Sequence, residues 1–378
     1  MDLSSELIHS LLPLYMAVGL GASAFVIGIV EGIAEGLALI VKVFSGVLSD
    51  RLRKRKPLVL LGYGLAAVTK LAFPLAPTLG WVVTARFADR VGKGIRGAPR
   101  DALIADITPA DVRGASFGLR QALDTVGGIG GPLLALGAMA YFAGNFQAAF
   151  WVAVVPAAIC VFVLVFGVHE PDRAGAGDGS EPGISWRDMR RLGSRYAVVV
   201  GVAAVLTLAR FSEAFLVLRA QNVGVPVASA PWVMVAMSIV FAIVAYPAGA
   251  AADRGQGPRL LWWGFVALIV ADLILANASG PFTVYAGAAV WGLHMGLTQG
   301  LLAALVAASA PADLRGTAFG VFNLVCGGAL LAASALAGWL WDALGPAVTF
   351  YAGAALTGVA LLVLMFRGAD VGKLARAE

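Results

Sequence analysis

Apolar runs of membrane-spanning length recur along this chain, and no other feature restricts its fold as much. They fall near 7–20, 24–49, 57–76, 79–104, 114–143, 148–168, 197–219, 230–252, 260–278, 281–307, 316–340 and 346–366. About 20 apolar residues cross the hydrocarbon core as a helix, and only helices and closed barrels satisfy their backbone there. Soluble domains carry about 25% charged residues, whereas this chain has 13%. The pattern predicts an all-α integral membrane protein with twelve transmembrane helices. The first is expected to be truncated, because its acid-free part, Leu7 to Leu20, is only 14 residues long. A start further upstream in the gene, or a helix beginning deep in the membrane, would account for that. A signal peptide fits less well: Ala22-Ser23-Ala24 resembles a cleavage site, but Asp2 and Glu6 occupy the place of a basic leader.

Charges inside the apolar runs mark the functional faces. The fourth run contains Arg86-Phe-Ala-Asp89-Arg90-Val-Gly-Lys93-Gly-Ile-Arg96-Gly-Ala-Pro-Arg100-Asp101. At about 100° per residue, its charged positions other than Arg96 gather within about 60° of one helix meridian, opposite an apolar face. A charge at the bilayer centre costs roughly 2.5–3.5 kcal/mol on insertion scales, so this stripe must face protein or water. The run as a whole has five basic residues and two acidic ones. Arg86 with Asp89, and Arg100 with Asp101, are expected to lie close, and Glu6, Glu31, Glu35 and Asp124 are the expected partners for the rest. Glu31, Glu35 and Lys42 form one polar line along the second run, and Asp2, Glu6 and His9 share a face of the first. Lys70 stands isolated in the third, and Arg120 and Asp124 lie one turn apart in the fifth.

The loops give orientation. Basic clusters at Arg51–Lys56, Arg187–Arg195 and Arg254–Arg259 all follow even-numbered spans, and the other loops are nearly bare, with Arg219 the exception. The positive-inside rule then puts both termini in the cytoplasm. The net charge of +5 comes from these loops, which indicates topology and not nucleic-acid binding. Residues 169–195 are rich in Gly, Pro and charge. They divide the chain into six-helix bundles at 1–168 and 196–367, with a tail at 368–378. Within that linker, the segment opened by Ser185 reads as a short basic amphipathic helix. Cys160 and Cys326 lie in apolar runs with no spacing for a metal or a disulfide framework.

The two halves repeat. Thr108-Pro-Ala-Asp-Val-Arg-Gly-Ala-Ser-Phe-Gly118 matches Ala310-Pro-Ala-Asp-Leu-Arg-Gly-Thr-Ala-Phe-Gly320 at an offset of 202 residues. Gly46-x-x-x-Asp50-Arg51 matches Gly249-x-x-x-Asp253-Arg254 at 203, and Ser5-Glu6 echoes Ser212-Glu213 at 207. A duplicated unit of six spans keeps its orientation, so its pseudo-twofold axis is expected along the membrane normal.

Gly46-Val-Leu-Ser-Asp50-Arg51-Leu-Arg-Lys-Arg resembles the loop 2–3 signature of the Major Facilitator Superfamily, with Arg53 where glycine is usual. Gly249 to Arg254 is its second copy, and Arg86 matches the basic residue of the family's fourth helix. Gly127-Gly-Ile-Gly-Gly131-Pro132 resembles its fifth-helix packing motif, seen mostly in antiporters, without the closing glycine pair (Ala135 and Leu136 here). The resemblance implies a secondary transporter working by alternating access, with Asp50, Arg51, Arg86, Asp89, Arg90, Asp253 and Arg254 in gating. Expected partners are a small solute, protons and the lipid bilayer, with no nucleic acid and no cofactor. A bacterial inner-membrane monomer is the expected setting.

Glu6 leads the candidates for proton coupling, ahead of Glu213, which Arg210 would neutralise one turn away. His9, Glu31, Glu35, Arg120, Asp124 and His294 complete the candidate cavity set. Proton-coupled efflux is the preferred expectation. An importer or facilitator of an organic anion would suit the basic excess of the fourth span, and a metal exporter would suit Asp2, Glu6 and His9. A membrane enzyme or receptor is the remote alternative: no nucleophile–base pair has convincing spacing, and no phosphate-binding G-x-x-x-x-G-K-S/T run occurs.

Overall fold

The computed structural model describes residues 1–52, 54–109, 113–168, 191–311 and 314–374. The helices are α1 (Asp2–Leu14), α2 (Ala24–Leu52), α3 (Lys56–Ala72), α4 (Leu79–Ile107), α5 (Arg113–Tyr141) and α6 (Phe146–Gly167). After them come α7 (Gly193–Ala209), α8 (Ala214–Asn222), α9 (Trp232–Ala251), α10 (Gly257–Ala276), α11 (Pro281–Ser309), α12 (Arg315–Leu344) and α13 (Pro346–Leu374). Among the described residues, seven helical spans are long and apolar enough to cross a membrane by composition alone; α4 is not one of them, and it carries many charges. The first span continues beyond Leu14 through a π-helical turn at Tyr15–Gly19, so helical structure runs from Asp2.

Two of the expected spans differ in form. The seventh is two helices, α7 and α8, separated at Arg210–Glu213, where Arg210 leaves helical geometry (φ −106°, ψ 90°). The break frees the Ser212 amide, which donates to Ser334 Oγ at 3.1 Å. The eighth ends in a π-helical turn, Ala252–Gln256, with Gly255 at φ 80°, a left-handed conformation that glycine adopts without a Cβ penalty. The predicted surface helix after Ser185 lies largely outside the described residues.

The chain forms two compact units. One comprises Met1–Leu11 and Ile33–Ile184; the other comprises Leu12–Gly32 and Ser185–Glu378. Within the second, the start of α2 is held by Asp342, whose carboxylate accepts from the amides of Ala24 (3.1 Å) and Phe25 (2.8 Å). This satisfies donors that every helix N-terminus leaves open. Gly28 and Gly32 let the same helix approach the backbone of α12 at Ser334 and Leu331. That explains why Leu12–Gly32 groups with the second unit. Arg219, the basic residue that broke the loop pattern, is buried for a similar reason. Its guanidinium donates to the carbonyls of Leu275, Ala276 and Ala278 at 2.9–3.0 Å, closing the C-terminus of α10.

In the first unit, α3 and α4 pack through glycine. A Cβ on Gly62 would stand 2.7 Å from both the Arg96 amide nitrogen and the Gly92 carbonyl. Gly64, on the same helix, has nothing within 4 Å. Gly62→Ala is therefore expected to destabilise the protein by about 1–3 kcal/mol through overpacking. Gly64→Ala should be neutral, or stabilising by up to about 1 kcal/mol from helix propensity. Thermal unfolding of the two purified variants in one detergent checks the contrast.

Candidate functional site

The charged stripe of α4 is satisfied inside the first unit. Glu35 of α2 receives Arg90 Nη1 at 3.0 Å and Arg86 Nη2 at 3.6 Å. Arg90 also forks onto Asp89, at 3.0 Å from Nε and 2.6 Å from Nη2. Asp89 takes Lys70 Nζ of α3 at 2.7 Å. Lys70, Asp89, Arg86 and Arg90 are all at most 3% exposed. Such burial is tolerable only because each charge is met by its opposite with hydrogen-bond geometry. Lys70, isolated within its own span, finds its partner on the next helix. Asp89 bonds Lys70 and Arg90 and also feels Arg86, which lies 3.6 Å from Glu35.

Nearer the end of α4, a second group joins Arg100 and Asp101 (3.1 Å) to the Arg120–Asp124 pair of α5. Arg100 lies 3.9 Å from Asp124, and Arg120 lies 3.7 Å from Asp101. Arg96, off the meridian of the stripe, reaches Asp2 at 3.7 Å and stacks 4.8 Å from the Tyr63 ring centre. Asp2 also shares a side-chain hydrogen bond with Asp124, which ties it to the second group. Among the described residues, no three His, Cys, Asp or Glu side chains gather as a metal site.

Glu6 stands apart. Its carboxylate lies 3.4 Å from His9 Nδ1, and both side chains are partly open, at 27% and 13% exposure. By contrast Asp2, Glu35, Asp89, Asp101, Asp106 and Asp124 of the first unit each pair with an Arg or Lys. The packing motif of α5 sets the position of Glu6. A Cβ on Gly131 would come 2.5 Å from Glu6 Cβ, and one on Gly127 would come 2.8 Å from Asp2 Cβ. Glycine at these two positions is what allows the α1 backbone to press against α5, with Pro132 following.

The remaining candidates are dispersed. Glu31 is fully buried on α2, in the segment that belongs to the second unit. Glu213 is partly buried at the start of α8, beside the break at Arg210. His294 is buried on α11 and donates Nδ1–H to the Gly264 carbonyl at 2.8 Å, since a carbonyl can only accept. Gly46 lies against Ala98, with 3.3 Å from its notional Cβ, while Gly249 has open space and Arg254 is exposed. The side chains of Asp50, Arg51 and Asp253 lie outside the described residues. Lys93, exposed on the stripe, stands outside the candidate cavity set, and Asp272, fully buried on α10, was not singled out from the sequence.

This arrangement, an internally paired charged helix in a helical bundle with a half-open acid beside it, agrees with what the chain is similar to. It matches the Major Facilitator Superfamily over residues 1–331 and 202–377. An uncharacterised MFS-type transporter of Methanocaldococcus jannaschii is 31% identical over 376 residues, covering 97% of this chain and 91% of that protein. The inner membrane transport protein YajR of Escherichia coli is 25% identical over 362 residues, covering 91% and 75%. Among solved structures, a peptide transporter, POT, in complex with sulfate superposes with a TM-score of 0.79 at 16% identity, covering 99% and 93%. At that identity the likeness concerns the fold alone. The family model and the Methanocaldococcus jannaschii relative carry the assignment: the chain belongs to the Major Facilitator Superfamily and is a secondary transporter.

Proposed function

We propose that this transporter exports a small solute from the cytoplasm in exchange for protons, with Glu6 as the principal proton carrier and His9 as its partner. One observation carries the reading. Glu6 is the acid of the first unit whose bonded partner is a histidine, and it is partly open, while the acids around it are neutralised by Arg or Lys. A histidine changes charge near neutral pH, so the pair can take up and pass on a proton, while the cations that also face Glu6, Arg90 and Lys93, keep Glu35 as a counter-ion. Glu35 and Asp89 serve as counter-ions that hold α4. The two six-helix halves, 1–168 and 196–367, are the moving bodies, with the Asp50–Arg51 and Asp253–Arg254 loops as latches between their states. The direction rests on the likeness of Gly127–Pro132 to an antiporter motif. The setting, a bacterial inner membrane with cytoplasmic termini, rests on the basic loops; a monomer suffices for the cycle.

Import of an organic anion is the second reading, because Lys93 is exposed on the stripe of α4. The two readings separate in everted membrane vesicles energised to an acid interior and offered a panel of small organic solutes. Exchange with protons predicts that a transported solute dissipates the gradient and accumulates inside. Accumulation that is indifferent to a protonophore would overturn the coupling. A response confined to anions and abolished by Lys93→Gln would favour the second reading.

Glu6→Gln should abolish gradient-driven accumulation while preserving solute counterflow, which needs no net protonation. Loss of counterflow with normal folding would place Glu6 in solute binding instead. Gly131→Leu should impair both activities, because its side chain cannot fit where the α1 backbone now lies; wild-type transport by this variant would show that the α1–α5 contact does not position Glu6.

A further inference from the structure

The internal repeat leads to a polar site outside the stripe. At the 202-residue offset, Lys70 of α3 becomes Asp272 of α10, and its partner Asp89 of α4 becomes Trp291 of α11. The helix pairs themselves correspond. Gly62 meets Arg96 in the first unit, and its mate Gly264 meets Thr298, the mate of Arg96, in the second. Contacts of Gly264 with Thr298 and of Gly287 with Leu275 fix the antiparallel register of α10 on α11, which puts Asp272 and Trp291 at one level.

The chemistry at the two levels differs. Lys70 and Asp89 form a buried ion pair of 2.7 Å. Asp272 is fully buried, and neither of its carboxyl oxygens has a hydrogen-bond partner. The indole Nε1 of Trp291, also fully buried, has none either. Room for the carboxyl comes from Gly353 of α13, where a Cβ would stand 2.6 Å from Asp272 Oδ2 and 3.1 Å from Phe211 Cε1. Phe211 in turn packs 5.5 Å from the Trp291 ring.

No described charge answers Asp272. On α11, His294 commits Nδ1 to the Gly264 carbonyl. On α13, Tyr351 bonds Asn277, and the hydroxyls of Thr349 and Thr357 bond the carbonyls of Ala337 and Gly353. Arg210 acts on His294 and not on Asp272. Arg254 is exposed at the far end of α9. An ionised carboxylate buried without a partner costs several kcal/mol, a cost that a bound proton removes.

We propose that Asp272 is a second proton-binding site of the transporter, protonated in the conformation seen here. When the helices of this unit rearrange, its proton passes to water and the Trp291 N–H becomes the donor that holds the carboxylate left behind. The site adds to the proton-coupled cycle described above and rests on that reading for its role in transport; its occupancy by a proton stands on the geometry alone.

Infrared spectroscopy of the purified protein in nanodiscs, titrated from acid to alkaline pH, reads the proton directly. The expected result is a protonated-carboxyl C=O band, shifted in deuterated water, that disappears on the alkaline side with release of about one proton per protein. Asp272→Asn, an isosteric change, should remove the band and that proton. Trp291→Phe should keep the band and move its loss to more alkaline pH, which also serves if Asp272→Asn folds poorly. Glu6→Gln should leave the band in place. The proposal is overturned if the band survives Asp272→Asn, if it vanishes in Glu6→Gln, or if it persists unchanged through the alkaline range. Failure of the coupling reading would show separately, as solute transport indifferent to a proton gradient while the Asp272 band still titrates.

Discussion

The cost of an uncompensated charge in hydrocarbon is the constraint on which this structure depends. α4 carries Arg86, Asp89, Arg90, Arg96, Arg100 and Asp101 through the bundle, and none could remain there alone. Their partners come from four other helices: Lys70 from α3, Glu35 from α2, Asp2 from α1, and Arg120 with Asp124 from α5. Each pairing specifies which helices must adjoin α4 and at what level. In this sense the ion pairs act as registration points, a recognised use of buried polar groups. The glycines do the complementary work, since Gly62, Gly92, Gly127 and Gly131 bring backbones close enough for short charged side chains to meet.

The two units solve the same packing problem by different chemistry. The α3–α4 pair of the first is locked by charge, whereas its mate, α10–α11, is largely apolar and is filled by Phe211, Phe215, Trp291 and Phe350 in a ring cluster. A duplicated sequence that keeps its glycine contacts while exchanging an ion pair for an acid beside an indole has released one position from a structural duty. That asymmetry leaves the second unit a buried acid with no ion-pair partner, beside an aromatic cluster, where the first has a buried ion pair.

Much of this was legible in the sequence. Twelve apolar runs predicted the all-α membrane fold, the repeated motifs predicted the duplication, and the angular clustering on α4 predicted a face that had to be satisfied by protein. Glu35 and Asp124 emerged as partners, as the charge count required. The exact pairing was not legible. Helical periodicity shows which side of a helix a residue occupies but not the level at which a neighbouring helix presents its own, so Lys70 looked solitary although it bonds Asp89. The break at Arg210–Glu213 carries no Pro or Gly and left no local sign. Asp272 was detectable, because the 202-residue offset maps Lys70 onto it, but a single acid in an apolar run gives no indication that its partner is missing.

The central claim is that Glu35 and Asp89 are the counter-ions of Arg86 and Arg90, leaving Glu6 to work. Thermal unfolding of three amide variants, Glu35→Gln, Asp89→Asn and Glu6→Gln, in one detergent tests it most directly, because each substitution removes a charge with little change of shape. Breaking a buried pair by removing one member typically costs about 3–5 kcal/mol. The account predicts a loss of that order for Asp89→Asn, a clear loss for Glu35→Gln, and stability close to wild type for Glu6→Gln. A loss for Glu6→Gln as large as that for Asp89→Asn would make Glu6 another counter-ion and contradict the account.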